Sequence, residues 1–292
     1  MRRSVHALPV LAATALLLTA CGTERPQSSG VGGRAATPSA GATVDDPGKD
    51  GVRITSLDLP EGVAGYEVTN DGTESLTYSV VVTFADSAGG AVGNETAAVR
   101  DVGPGKTVRG TVRAGALPPG APRITRAEVL EVTKVPAGEA PAASGSCPES
   151  GVRVSADRGD AAMGLRVVGL HLDNCGTREY TVDGYPLLEL LDDDRAPVTG
   201  VEILDGSSEI STALASDTPP HRVTLRPGES ATASLVWRNT TGFGDAVDVP
   251  YVRVRAKAGA APVTVTPHLD LGTTGKLGVT AWKEAGTPVP TD

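Results

Sequence analysis

Aromatic residues are scarce. Two Phe, two Trp and five Tyr make up 3% of 292 residues. That is too few for a platform that stacks bases or a shelf under a sugar ring. Histidine is nearly as rare, and beyond the first twenty residues only His171, His221 and His268 remain. A serine hydrolase needs a base beside its nucleophile, normally His. None of the three lies near a Gly-x-Ser-x-Gly turn, and the chain contains no such turn. A phosphate loop, a dinucleotide fingerprint, an HExxH pair and a heptad repeat are also missing. Basic residues are in deficit, 26 against 35 acidic, which argues against nucleic acid as a partner. After the first twenty residues no apolar run reaches the roughly 20 residues needed to span a bilayer. Cysteine occurs three times, at Cys21, Cys147 and Cys175.

What is present begins with a leader. Arg2 and Arg3 precede an apolar stretch from Ala7 to Ala20, the charged head and short core of a secretory signal. It ends Leu18-Thr19-Ala20-Cys21, which looks like a bacterial lipobox. Cys21 is then the expected new N-terminus, carrying diacylglycerol and a palmitate-type acyl chain. The chain is expected on the extracytoplasmic face of the membrane, since two or more acyl chains anchor a protein stably. An Arg pair also marks twin-arginine export, which the flanking Ser4-Val5-His6 fits poorly. Removal of residues 1–20 leaves 24 basic against 35 acidic residues, a net −11. With Cys21 lipidated, Cys147 and Cys175 remain, and in an exported chain such a pair reads as a disulfide, with a metal site as the rival. Residues 22–50 are rich in Gly, Ala, Ser, Thr and Pro and read as a disordered stalk. No cofactor is implied.

The rest alternates strand and turn. In Ser75–Asp86, Tyr78, Val80, Val82 and Phe84 share one face, and Thr77, Ser79 and Thr83 the other. Asn70-Asp71-Gly72 and Gly103-Pro104-Gly105 mark turns, with strands predicted over Thr107–Val112 and Ile124–Val135. Six or seven short strands over 51–136 predict an immunoglobulin-like β-sandwich. Residues 137–146 read as a linker, 147–284 as a second sandwich, and 285–292 as a flexible tail. The fold class is all-β, with two such domains in tandem. An internal echo supports this: "GYEVTNDGTESLTYSV" from Gly65 against "GLHLDNCGTREYTVDG" from Gly169. A second pair, "DVGPGKTVRGTV" from Asp101 and "TLRPGESATASL" from Thr224, recurs in the same order.

The segment Cys147–Trp282 resembles a domain of unknown function common in actinobacterial lipoproteins. The likeness rests on Leu172-Asp173-Asn174-Cys175-Gly176, Gly184-Tyr185-Pro186, Leu225-Arg226-Pro227-Gly228-Glu229, Leu269-Asp270-Leu271-Gly272, Leu277-Gly278-Val279 and Trp282. The segment before it more loosely resembles small Ig-like domains that follow lipoprotein stalks. The resemblance implies an Ig-like sandwich at the cell envelope and brings no activity and no site. Many such domains carry the second cysteine closer to Gly-Tyr-Pro, so the Cys147–Cys175 pairing stays an expectation.

Candidate chemistry is sparse. His171 is predicted to face solvent with Asp173 if Leu170 and Leu172 point inward. His221 follows Pro219-Pro220, and His268 follows Pro267. Asp192-Asp193-Asp194 reads as a hairpin turn rather than a calcium loop, which would alternate ligands with spacers. Trp237 and Trp282 read as core. The irregular stretch Asp205–Arg222 is the first candidate binding surface and the Tyr185 turn the second. The expected role is non-catalytic: binding or assembly at the cell envelope, with an envelope protein or glycan as partner. The alternative is a secreted enzyme or metal-handling protein whose site assembles only in the fold.

Overall fold

The computed structural model describes residues 44, 46–59, 61–212 and 217–286. Cys21 and the tail beyond Gly286 lie outside the described residues, as do residues 213–216 of the candidate loop. All described residues belong to one compact unit, Gly41–Asp292. Among the described residues the regular structure is β throughout, apart from a single 3-10 turn, Ala137–Glu139.

Six strands come first: β1 (Val52–Asp58), β2 (Val63–Thr69), β3 (Leu76–Ala85), β4 (Ala91–Val102), β5 (Thr107–Arg113) and β6 (Arg126–Pro136). They make two sheets, ordered β1-β2-β5 and β4-β3-β6. Between them lies one core, drawn from Val52, Ile54 and Val68 on one sheet and Tyr78, Val80, Val82 and Phe84 on the other. The alternating face of β3 is therefore buried as its sequence predicts. Its second face is more covered than a period of two implies. Thr77 and Thr83 are also buried, and Thr83 Oγ1 donates to Asn94 Oδ1 at 2.9 Å. β3 is the central strand of its sheet, so neighbours on both sides shade its polar face.

The remaining strands are β7 (Val152–Ala156), β8 (Asp160–Ala162), β9 (Leu165–Asn174), β10 (Tyr180–Asp183), β11 (Leu187–Leu191) and β12 (Glu202–Asp205). They continue as β13 (Arg222–Leu225), β14 (Ser230–Arg238), β15 (Asp248–Val249), β16 (Tyr251–Arg255), β17 (Val263–Val265), β18 (Leu269–Asp270), β19 (Lys276–Val279) and β20 (Lys283–Glu284). The largest sheet runs β12-β19-β14-β9-β7, with β8 on β9 and β20 on β14. A second core holds Leu170, Leu172, Leu235, Leu277 and the buried Trp237 and Trp282.

The internal echo is a repeat of pairing. β7-β9-β14 repeats the order β1-β2-β5. Thr69 pairs with Thr107 and Asp173 with Ser230; Leu76 pairs with Val102 and Tyr180 with Leu225. Asn70 and Asn174 are buried at matching corners. Asn70 Nδ2 donates to Glu74 O at 2.8 Å and Val102 O at 2.7 Å; Asn174 Nδ2 donates to Arg178 O at 2.8 Å and Leu225 O at 2.9 Å. The Pro-Gly turns close on these same corners, with Gly105 N and Gly228 N donating to Asn70 O and Asn174 O, each at 2.7 Å. A third echo also emerges, Gly51-Val52-Arg53-Ile54 against Gly151-Val152-Arg153-Val154, which opens β1 and β7.

The disulfide Cys147–Cys175 is formed, with Cα atoms 5.6 Å apart. Two expectations change in detail. The stretch read as stalk through Asp50 is fixed at its end, where Asp46 Oδ2 accepts from Ile54 N at 2.6 Å. The stretch read as a linker is docked: Arg253 Nε donates to Glu139 Oε2 at 2.9 Å, and Thr264 Oγ1 to the same oxygen at 2.8 Å. Composition alone sees neither contact: the first is a side-chain bond to one backbone N–H eight residues on, and the second joins partners more than 110 residues apart.

Candidate functional site

Gly184-Tyr185-Pro186 interrupts what is one continuous strand in the first half. β3 runs unbroken for ten residues. In the second half, Pro186 brings no N–H to a ladder. The chain therefore divides into β10, which pairs with β13, and β11, which pairs with β16. Gly184 has φ 76° and its carbonyl accepts from Trp282 N at 2.9 Å. The interruption leaves Tyr185 half-buried at the surface.

The 205–222 stretch comes to meet it. β12 lies parallel to β19, and Gly206 N donates to Val279 O at 2.7 Å. Gly206 has φ 99° and a Cβ there would sit 3.1 Å from the Asp217 carboxylate. Ser207 is fully buried. Its N–H donates to both Asp217 oxygens, at 3.0 and 2.8 Å, and its hydroxyl to Oδ1 at 2.9 Å. Ile210 N and Ser211 N both donate to Ser207 O at 2.9 Å. The described part of this loop is thus a tied turn, where sequence predicts an irregular surface segment.

Tyr185, Asp205, Gly206, Ser208, Asp217 and Pro219 line one shallow cleft of about 270 Å³. Both candidate surfaces therefore meet. Burial pushes the Tyr185 phenol above its ordinary pKa, and the negative Asp205 and Asp217 push it the same way. At neutral pH the cleft presents a phenolic O–H beside a carboxylate already held by Ser207. Such a surface offers a hydrogen-bond donor and acceptors on rigid supports.

The other candidate residues are dispersed. Leu170 and Leu172 are buried, and His171 lies half-exposed, its Nε2 3.3 Å from Asp157 Oδ2. His221 Nδ1 lies 3.1 Å from Pro219 O, and His268 Nε2 lies 2.9 Å from Glu131 Oε1. Among the described residues no group of three or more His, Cys, Asp or Glu is placed to hold a metal ion. Asp192 forms a turn, its Oδ1 accepting from Asp194 N at 3.0 Å and Ala196 N at 2.8 Å. Trp237 Nε1 donates to Asp270 Oδ1 at 2.8 Å and Trp282 Nε1 to Ala256 O at 3.0 Å, so both indoles are core residues with satisfied N–H groups.

Sequence reading missed Asp173 as an anchoring carboxylate. It accepts from Ser230 Oγ at 2.7 Å and from Arg153 Nη2 at 2.7 Å. Burial alone would raise its pKa, but the Ser230 and Arg153 bonds outweigh burial and hold it below the usual range. Arg153 in the repeated Gly-Val-Arg motif was the available signal.

No curated protein matches the chain. Residues 147–283, which hold the disulfide, the Tyr185 cleft and both tryptophans, match the model of a family described as a domain of unknown function, DUF4232.

Proposed function

We propose that this chain is an exported lipoprotein, anchored through acylated Cys21, that binds a partner at the cell envelope without catalysing a reaction. Its folded part is read as two Ig-like domains, 51–136 and 147–284, with the second supplying the binding surface. The observation that carries this reading is the Tyr185 cleft. Two segments far apart in sequence meet there, on sheet ends fixed by Trp282 and Val279 backbone bonds. Loops held by a rigid scaffold are where binding concentrates in β proteins. The net −11 of the mature chain favours a partner other than nucleic acid.

The test is crosslinked co-purification from intact cells, with a tag after Asp292. A Cys21→Ser form is the control for anchoring. The anchored protein is expected to enrich one envelope component. Tyr185→Ala is expected to cut that enrichment by about tenfold, as loss of an aromatic anchor does. The substitution should leave thermal stability near wild type, because Tyr185 is only half-buried. Deleting the loop would be a poor probe, since the bonds from buried Ser207 to the exposed Asp217 carboxylate hold it. Enrichment unaffected by Tyr185→Ala would move the surface elsewhere. A metal found in stoichiometric amount in the purified protein would overturn the binding-only reading.

A further inference from the structure

The way the chain enters its fold sets which end lies beside its tether. Asp50 and Gly51 both have positive φ, 53° and 82°, the combination a type I′ turn requires. Lys49 and Val52 exchange both main-chain hydrogen bonds across it, each 2.8 Å. The residues before the turn therefore run back along β1. Asp46 fixes the direction, its Oδ2 accepting from Ile54 N at 2.6 Å and its Oδ1 from Gly48 N at 3.1 Å. Val44 packs against the N-terminal core. Followed toward its start, the chain at Val44 is heading for the far end of β1, where Leu59 stands.

That end carries an apolar surface. Leu59 and Leu117 are 44% and 39% exposed. With Ala114, Pro122 and Ile124 they line a groove of about 670 Å³. The loop that builds most of it, "AGALPPGAPRIT" over 114–125, holds no acidic residue and one base, Arg123. The whole chain has nine more acids than bases, so this composition is unusual within it. At the loop's root Arg113 Nη1 holds the Glu61 carboxylate at 3.1 Å, and Arg126 follows at the start of β6. Asp58 and Glu95 are further acids at this end, with the Glu95 carboxylate lying against Gly115 of the loop.

We infer that Leu59 and the 114–125 loop form a membrane-facing surface that rests on the bilayer to which Cys21 tethers the chain. The inference rests on the lipid-anchor reading above. Only 22 residues separate Cys21 from Val44. By the stalk reading of its composition, a segment of that length has a mean span of about 26 Å, less than the thickness of a bilayer's hydrocarbon core. Leucine and proline side chains supply the face that enters the interface, and Arg123 and Arg126 meet anionic headgroups at its rim. A contact this small would not hold a free protein. A tether makes it intramolecular and raises its effective concentration, so a weak surface suffices.

The experiment is photocrosslinking to lipid in the mature protein, reconstituted in vesicles of phosphatidylglycerol and phosphatidylcholine. Leu117→benzoylphenylalanine probes the surface, Ala116→benzoylphenylalanine repeats it, and Thr241→benzoylphenylalanine on a distant exposed loop is the control. Lipid adducts at 116 and 117 are expected to exceed those at 241 by about fivefold or more, as an interfacial side chain requires. Equal yields at all three positions would overturn the inference. Mass analysis of the Cys21 peptide is read separately. If it lacks acyl chains, the lipid-anchor reading fails on its own. The free Cys21 thiol is then coupled to a maleimide-headgroup lipid, and the same adduct ratio decides the surface.

Discussion

Asn70 and Asn174 are each almost fully buried, and each spends its side-chain amide on two main-chain carbonyls. Replacing either with Ala takes that donor from both carbonyls and frees the N–H of Gly72 or Gly176, which donates to the side-chain oxygen. Unmet buried groups cost about 1–3 kcal/mol each. Asn174→Ala and Asn70→Ala should therefore each lose about 3 kcal/mol in urea unfolding, with an unchanged slope. Asn-x-Gly was visible in the sequence as a turn. Its reach across 32 and 51 residues, to β4 and β13, was not, because the partners are main-chain carbonyls that carry no residue signature. Asp173 gives a prediction in pH. Its carboxyl titrates below the usual range when folded, so its stabilisation is present above the unfolded pKa and is lost as pH falls through the folded one. The stability gap between wild type and Asp173→Asn should be flat above about pH 5 and should close below about pH 4.

Among elements, β3, β5 and β6 were readable because β3 alternates polar and apolar residues and the turns around them use Gly, Asn and Pro. β12 against β19 was not. This parallel pair joins residues more than seventy positions apart, and each strand is only four residues long. The Tyr185 cleft was half legible. Both of its components were singled out, yet their meeting depends on that parallel pair and on the break between β10 and β11. The candidate site sits where the second half departs from the pattern of the first. β7 is an edge strand joined to the sheet through β9 alone. The Cys147–Cys175 bridge closes 28 residues around this pairing. Changing both cysteines to Ser should cost about 3–4 kcal/mol by the chain-entropy estimate. Hydrogen exchange should then show its largest rise in β7 amides.

At the scale of the molecule, the two cores are joined by more than covalent chain. Val135, Leu191 and Tyr251 form a small apolar cluster of their own, with Ala140 against it. Lys134 N donates to Tyr251 Oη at 3.3 Å, Arg195 pairs with Glu74, and His268 with Glu131. Arg253 sits among these contacts, holding Glu139 at 2.9 Å and Glu189 at 2.8 Å. Bonds from Glu189 and Glu139 raise its pKa further, so it stays charged throughout the working range. Arg253→Ala leaves two half-buried carboxylates side by side. It should cost about 2 kcal/mol and make residues 137–146 the first site of limited proteolysis. Unchanged protease resistance would show that the apolar cluster alone holds the segment.

The bridge has a mechanical consequence. If the chain is held at the membrane through its N-terminus and loaded by a partner at the Tyr185 cleft, tension enters the C-terminal sheets at Cys147. Without the bridge, that pull would reach β7 first and peel it from β9 one hydrogen bond at a time. With the bridge in place, force passes from Cys147 directly to Cys175 at the end of β9, and the edge strand is bypassed. From Cys175 the covalent path to Tyr185 is only ten residues, through β10, and β7 is left outside it. Under oxidising conditions the protein should behave as a stiff strut between membrane and partner, and under reducing conditions as one that yields from β7 inward.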